Sequence, residues 1–76
     1  MTRDEIAAKL REHSVELVGL CKGLEAQHKV FSAACFAGDG IGADDARARI
    51  IAYTERQLDL IAMSMTLSRS LMHLPD

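Results

Sequence analysis

The sequence predicts an all-α fold: an antiparallel two-helix hairpin that dimerises into a four-helix bundle. Two long segments with helical periodicity flank a single cluster of glycines and aspartates, "AGDGIGADD" at 37–45, which marks one turn. The chain has 76 residues, and 49% of them are hydrophobic. A chain this short has only a marginal core of its own, so its apolar excess favours self-association. Residues 1–76 are expected to form a single helical-hairpin domain.

The first helix is predicted to span about residues 3–36. Thr2 and Glu5 have the spacing of a capping box, which satisfies backbone N–H groups at a helix start. Apolar residues then recur in alternating steps of four and three, with His13 and Gln27 filling the same stripe. Such a stripe is typical of a helix that packs lengthwise against another. Its apolar positions are 6, 10, 17, 20, 24 and 31.

Two glycines lie inside this predicted helix. Gly19 and Gly23 each cost about 1 kcal/mol relative to alanine in a helix interior. No Ser, Thr, Asp or Asn lies between residues 20 and 27 to cap a new helix. We therefore expect one continuous helix, in which the glycines allow a close approach of another helix or a bend.

The second helix is predicted at about 43–73, after a turn at about 37–42. Gly42 is the expected N-cap, and Asp44 and Asp45 fall in the first turn, where the helix dipole favours negative charge. The apolar residues form two stripes along this helix, instead of one. The first stripe contains positions 46, 50, 53, 60, 67 and 71, and the second contains 51, 58, 61, 65 and 72.

The predicted turn length sets the register between the two helices. Phe36 would lie level with about Asp44, which places Leu17 near Met63 further along the hairpin. Pro75 stands just beyond the predicted end of the second helix, where its missing N–H prevents continuation.

The carboxy-terminal segment is the reason to expect an oligomer. Residues 57–76 contain only Asp59, Arg69 and Asp76 as charged residues, and the two stripes make "LIAMSMTLSRSLMHL" apolar on more than one side. One neighbouring helix covers one stripe, whereas a helix that is apolar nearly all round needs cover on every side. A second copy supplies that cover most simply. The interface with a second copy or another protein is expected at Leu10, Leu17, Leu20, Leu24, Ile61, Met65, Leu67 and Leu71.

A metal site is an alternative reading of the middle of the hairpin. Glu25 and His28 lie one turn apart, and Glu55 would be level with Glu25 on the second helix. Bundle di-iron sites use Glu-x-x-His pairs together with single glutamates. The same glutamates equally suit ion pairs on a helix surface. Fourteen helical residues separate Cys21 and Cys35 by about 21 Å, which is too far for a disulfide within the chain. They are therefore interpreted as small buried apolar residues, and the alternative is a disulfide between chains or a reactive thiol.

Nucleic-acid binding is the other alternative. Arg47, Arg49 and Arg56 lie on the second helix and could form a basic band near the turn, although aspartates and glutamates dilute it. The net charge of −2 argues against a strong general affinity for nucleic acid.

The reading favoured by the sequence is a small non-enzymatic interaction module, an adaptor or regulator that binds another protein through apolar helix faces. No catalytic triad, phosphate loop or zinc pattern is recognisable, and no cofactor is expected. The charged start "MTRDEIAAKLREHS" lacks the apolar stretch of a signal peptide, and the longest charge-free run, 60–68, is too short to span a bilayer. We therefore expect a cytoplasmic protein without a membrane partner.

Overall fold

The computed structural model describes residues 1–74, which form two long helices packed against each other. Helix α1 spans Arg3–Phe36 and helix α2 spans Gly40–Met72. His13 near the start of α1 contacts Ser64 near the end of α2, so the helices run antiparallel. The molecule is a rod of 59 × 15 × 13 Å. The predicted all-helical two-helix hairpin is confirmed, whereas Pro75 lies outside the described residues.

One stripe of each helix forms the contact between them, which we call the seam. Its positions alternate in steps of four and three in both helices, because this spacing keeps one side of a helix directed at its neighbour. Every seam side chain is buried or half-buried. The seam consists of residues 6, 10, 13, 17, 20, 24, 27, 31 and 34 of α1 with residues 43, 46, 50, 53, 57, 60, 64, 67 and 71 of α2.

The start of α1 is the predicted capping box. The Glu5 backbone N–H donates to the Thr2 hydroxyl at 3.2 Å, and the Thr2 backbone N–H donates to the Glu5 carboxylate at 3.3 Å. Two N–H groups that a helix start leaves without intrahelical partners are thereby satisfied. The Thr2 hydrogen bonds also lower the pKa of the Glu5 carboxyl.

The turn between the helices is only three residues long. Gly38 adopts a left-handed backbone conformation with φ of 71°. Its N–H donates to the Cys35 carbonyl at 3.1 Å, and the next N–H, of Asp39, donates to the Ala34 carbonyl at 2.8 Å. This pair of bonds is a Schellman motif, which closes the end of α1. The Asp39 carboxylate then accepts from the Gly42 N–H at 2.9 Å and caps α2.

The predicted start of α2 was therefore wrong by three residues. Asp39 is the N-cap in place of Gly42, and α2 begins at Gly40 in place of Ala43. The physical reason is that a carboxylate accepts a hydrogen bond from the first turn, which glycine cannot do. As a result Asp44 and Asp45 lie beyond the first turn, which contains no acidic residue.

The shorter turn also shifts the register of the helices. A register based on the longer turn would place His13 level with Leu67. The His13 ring nitrogen instead lies 3.1 Å from the hydroxyl of Ser64, three positions earlier in α2. Level residues have numbers that add to about 77, so Leu17 lies level with Leu60 and not with Met63.

The two glycines inside α1 have different surroundings. A Cβ on Gly23 would lie 3.2 Å from the ring of Tyr53, so the absence of a side chain lets this ring pack close to α1. A Cβ on Gly19 would meet nothing within 4 Å. The expected close approach therefore occurs at Gly23, inside the hairpin, and α1 remains one continuous helix.

Fully buried residues are few in such a narrow rod. Among the described residues only Ile6, Ala34, Ala46 and Leu60 are buried, and Leu60 is the largest side chain with no exposed surface. Most seam residues keep part of their surface in water because two helices cannot enclose a side chain completely. The seam therefore joins the helices without forming a closed core.

Replacing Leu60 tests the seam. We expect Leu60→Ala to lower the free energy of unfolding by about 2–5 kcal/mol, because it removes buried methyl groups and leaves a cavity. Chemical denaturation followed by circular dichroism measures the change. Val15→Ala is the control, since Val15 is 73% exposed and its truncation should change stability by less than about 0.5 kcal/mol. Equal effects of the two substitutions would contradict the described seam.

Replacing Gly38 tests the turn. Gly38→Ala should lower the free energy of unfolding by about 1–2 kcal/mol, because a Cβ disfavours a left-handed backbone. Gly40→Ala is the matched control: a Cβ there meets nothing within 4 Å, and Gly40 opens α2 with an ordinary φ. Thermal melts of the two variants at the same concentration give the comparison. A Gly40→Ala variant that is as destabilised as Gly38→Ala would refute the turn geometry.

Candidate protein-interaction face

The seam divides the surface of the hairpin into two sides. In an antiparallel helix pair, residues that directly precede seam residues lie on one side for both helices, and residues that directly follow them lie on the other. Glu16 and Arg56 both precede seam residues, and they meet across the helices. Cys21 follows a seam residue, and it contacts Gln57 from the other side.

The side formed by residues that directly precede seam residues carries charged side chains, some of which form ion pairs with each other. We call it the charged side. The Arg56 guanidinium donates to both oxygens of the Glu16 carboxylate, at 2.6 and 3.1 Å. Lys9 forms a further ion pair with Glu12 at 3.6 Å. A shallow groove of about 360 Å³ lies on this side near the chain ends, lined by Met1, Lys9, His13, Met63, Thr66 and Leu67.

The opposite side carries large apolar side chains in water; we call it the apolar face. Most of them belong to α2, where the positions that directly follow the seam between 51 and 72 include no charged residue. Their exposed fractions run from 45% for Ile51 to 81% for Met72. The apolar face consists of Val18 on α1 with Ile51, Leu58, Ile61, Met65 and Met72 on α2. It extends over about 32 Å, the length of 21 helical residues.

Helix α1 contributes a more polar strip to the same side. Around Val18 it presents Arg11, Ser14, Cys21 and Glu25, all of which are exposed. The Gln57 amide donates to the Cys21 sulfur at 3.3 Å, and this bond links the strip to α2. The apolar face is thus an α2 surface with a polar border on α1.

The exposed area of the whole chain is large for its mass. A compact protein of 8.3 kDa has an accessible surface of about 4,600 Å² by the usual scaling with mass. The hairpin exposes 5577 Å², an excess of roughly 1,000 Å² over that expectation. Two such chains that each covered this excess would bury about 2,000 Å², the size of a stable homodimer interface.

The eight predicted interface residues fall into two groups. Six of them belong to the seam and pack within the hairpin: Leu10, Leu17, Leu20, Leu24, Leu67 and Leu71. Ile61 and Met65 lie on the apolar face, with exposed fractions of 46% and 52%. The residues that sequence reasoning assigned only to a second stripe, such as Leu58 and Met72, are the ones left in water.

The candidate metal ligands lie on the surface of the hairpin. Glu25, His28 and Glu55 are all exposed, and Glu25 pairs with Lys29 at 3.7 Å within α1. Within residues 1–74, no three His, Cys, Asp or Glu side chains come together as a set of metal ligands. Any metal site at these residues would therefore need groups from another chain.

The two cysteines are exposed free thiols. Both follow seam residues, which places them on the same side of the hairpin as the apolar face. They are fourteen residues apart on one continuous helix, which separates them by about 21 Å. The expectation that they behave as small buried residues was wrong, because a two-helix rod covers only the seam.

The candidate basic band is partly occupied by other contacts. Arg56 pairs with Glu16, which raises the pKa of the Arg56 guanidinium, and Arg49 donates to the Gln27 amide oxygen at 3.4 Å. Arg47 is exposed on α2. The three arginines therefore do not form one continuous patch free of acidic neighbours.

Comparison with models of known protein families, with curated protein sequences and with solved structures gives no significant match. In the part of the chain that the structure describes, neither helix combines the length and the apolar character that crossing a bilayer requires.

The ion pair on the charged side predicts a loss of stability in acid. The Arg56 hydrogen bonds lower the pKa of the Glu16 carboxyl from its ordinary value of 4.5. The pair therefore stabilises the folded state above about pH 4.5, and this contribution disappears as the pH falls through the lowered pKa. We expect Glu16→Gln to lower the melting temperature at pH 7, with the difference from the wild-type chain shrinking towards pH 3.

The matched control for this prediction is Glu12→Gln. It removes the same charge, but the ion pair of Glu12 lies within α1 and does not join the helices. Its melting temperature should therefore follow that of the wild-type chain more closely at pH 7. A Glu16→Gln deficit that is equally large at pH 3 would contradict an electrostatic origin.

Proposed function

We propose that this chain is a non-enzymatic protein-interaction module, an adaptor or regulator, that works by completing a four-helix bundle with helices from another chain. The apolar face is the single observation that supports this function. Its six large side chains lie on one side of a hairpin whose own seam is already filled, and α1 and α2 leave 45–81% of each residue's surface exposed.

The energetic gain of covering this face is large for a chain of this size. Burying an exposed leucine, isoleucine or methionine stabilises by about 1.5–3 kcal/mol for a complete side chain. Half of that gain from each of six side chains is about 4.5–9 kcal/mol, which is comparable to the whole stability of a small domain. Contiguous apolar surface of this kind marks interaction sites in monomeric proteins. Binding of another chain to the apolar face would therefore stabilise the hairpin and would also be the proposed interaction itself.

The arrangement of charge supports a directed association. The Glu16–Arg56 pair lies on the side that precedes the seam, and the apolar residues lie on the opposite side. An approaching helix that buries the apolar face leaves this ion pair in water, so no charge of the pair has to be desolvated.

Site-specific photocrosslinking in cells of the source organism tests the proposed function. A photoreactive phenylalanine analogue is introduced at position 61 on the apolar face, and in a separate chain at position 15. Val15 is the matched control because it is exposed and faces away from the seam. We expect defined crosslinked protein species from position 61 and not from position 15, with the attached chains identified by mass spectrometry. Equal or absent crosslinking at both positions would contradict the proposal.

A further inference from the structure

We propose that the occupant of the apolar face is a second copy of this chain, whose α2 packs antiparallel on α2 of the first copy about a two-fold axis that passes near Ile61. This inference rests on the proposed function and names its partner. Two observations carry it: the area that each chain leaves uncovered, and the order of the side chains along α2.

The uncovered area matches what two copies need. Each chain exposes roughly 1,000 Å² more than a compact protein of its mass. A two-fold interface buries the same patch on both chains. Two copies that each cover an area of this size bury about 2,000 Å², which is the size of a stable homodimer interface.

The apolar strip of α2 reads nearly the same in both directions from Ile61. Leu58 and Met65 flank it at three and four residues, and the hydroxyl residues Thr54 and Ser68 follow at seven on either side. Ile51 and Met72 end the strip at ten and eleven residues. When two such strips pack antiparallel about Ile61, large apolar residues meet large apolar residues, and the hydroxyls meet each other.

The polar strip of α1 decides between the two possible orientations. Two face-to-face hairpins can be related by an axis that runs across the helices or by one that runs along them. An axis along the helices packs α1 of one copy on α2 of the other. Arg11 would then lie against Met65, and Glu25 against Ile51, because these residues are level in the hairpin. Burying charged groups against apolar side chains is costly.

An axis across the helices avoids this cost. It packs α2 on α2 and α1 on α1, so the apolar strips cover each other and the polar strips border them. The end of the bundle that carries Arg11 of one copy also carries Glu25 of the second copy. Opposite charges therefore share each end, whereas the other orientation brings like charges to the same end. The structure thus favours the dimer in which α2 packs on α2 and the two-fold axis runs across the helices.

Sedimentation equilibrium tests the dimer. The wild-type chain is expected at twice its mass of 8.3 kDa at micromolar concentration. Ile61→Asp should weaken association on the order of 100-fold or more, because it places two carboxylates beside the axis. Met63→Asp is the matched control: it is two residues away, on the charged side, and should leave the dimer intact. A monomeric wild-type chain at millimolar concentration would overturn the inference.

Cysteine crosslinking tests the orientation and does not depend on whether Ile61→Asp folds. In a chain with Cys21→Ser and Cys35→Ser, Ile61→Cys should form a disulfide-linked dimer under a mild oxidant, and Val15→Cys should not. Chains with Leu58→Cys should crosslink to chains with Met65→Cys at least about tenfold faster than either chain crosslinks to itself. Absence of the Ile61→Cys crosslink, or equal rates, would refute the antiparallel packing of α2 on α2 about Ile61.

The two proposals can fail separately. A wild-type chain that stays monomeric but crosslinks from position 61 to a different protein retains the proposed function and loses the second copy as the partner. A monomeric chain with no crosslink from position 61 contradicts both.

Discussion

The alternation of four-residue and three-residue steps along both helices is the constraint on which the whole molecule depends. It keeps one stripe of each helix directed at the other for the full length of the rod, and this seam runs from Ile6 to Ala34 on α1. Once the seam is known, the composition of the two remaining sides follows from the sequence, because each seam residue has one neighbour before it and one after it. The preceding neighbours carry the Glu16–Arg56 pair, and the following neighbours carry the exposed apolar side chains of α2.

A second determinant is the turn, which sets how the two stripes meet. Asp39 serves both helices: its N–H closes α1 on the Ala34 carbonyl, and its carboxylate caps α2 through the Gly42 N–H. One residue with two roles makes the connection short. The short connection places Leu17 level with Leu60 and Tyr53 against Gly23. The local chemistry of three residues therefore determines contacts along more than 40 Å of rod.

Much of this fold could be predicted from the sequence, and the misses have physical causes. The spacing of apolar residues predicts both helices and the seam stripes. The hydrogen-bonding side chains of Thr2 and Glu5 predict the capping box. The start of α2 was missed because the cluster at 37–45 offers several aspartates and glycines, and spacing cannot choose which aspartate caps. Sequence reasoning expected the neighbouring helix to cover one α2 stripe, but it drew the interface residues from both stripes. The division became visible only when contacts such as Gln57 with Cys21 showed which stripe the hairpin uses for itself.

The thinness of the rod has a consequence for how its stability is distributed. Each level of the seam contacts only the levels above and below it. The contacts that stabilise the hairpin are therefore spread along its length and are not gathered in one core. Contacts next to Gly38 close short loops of chain, and those around Ile6 close the longest ones. Local unfolding should therefore begin at the chain termini, where the two helices separate first, and then proceed towards the turn. The most apolar stretch of α2 lies in that first-opening half, where cover from a neighbouring chain would hold it shut.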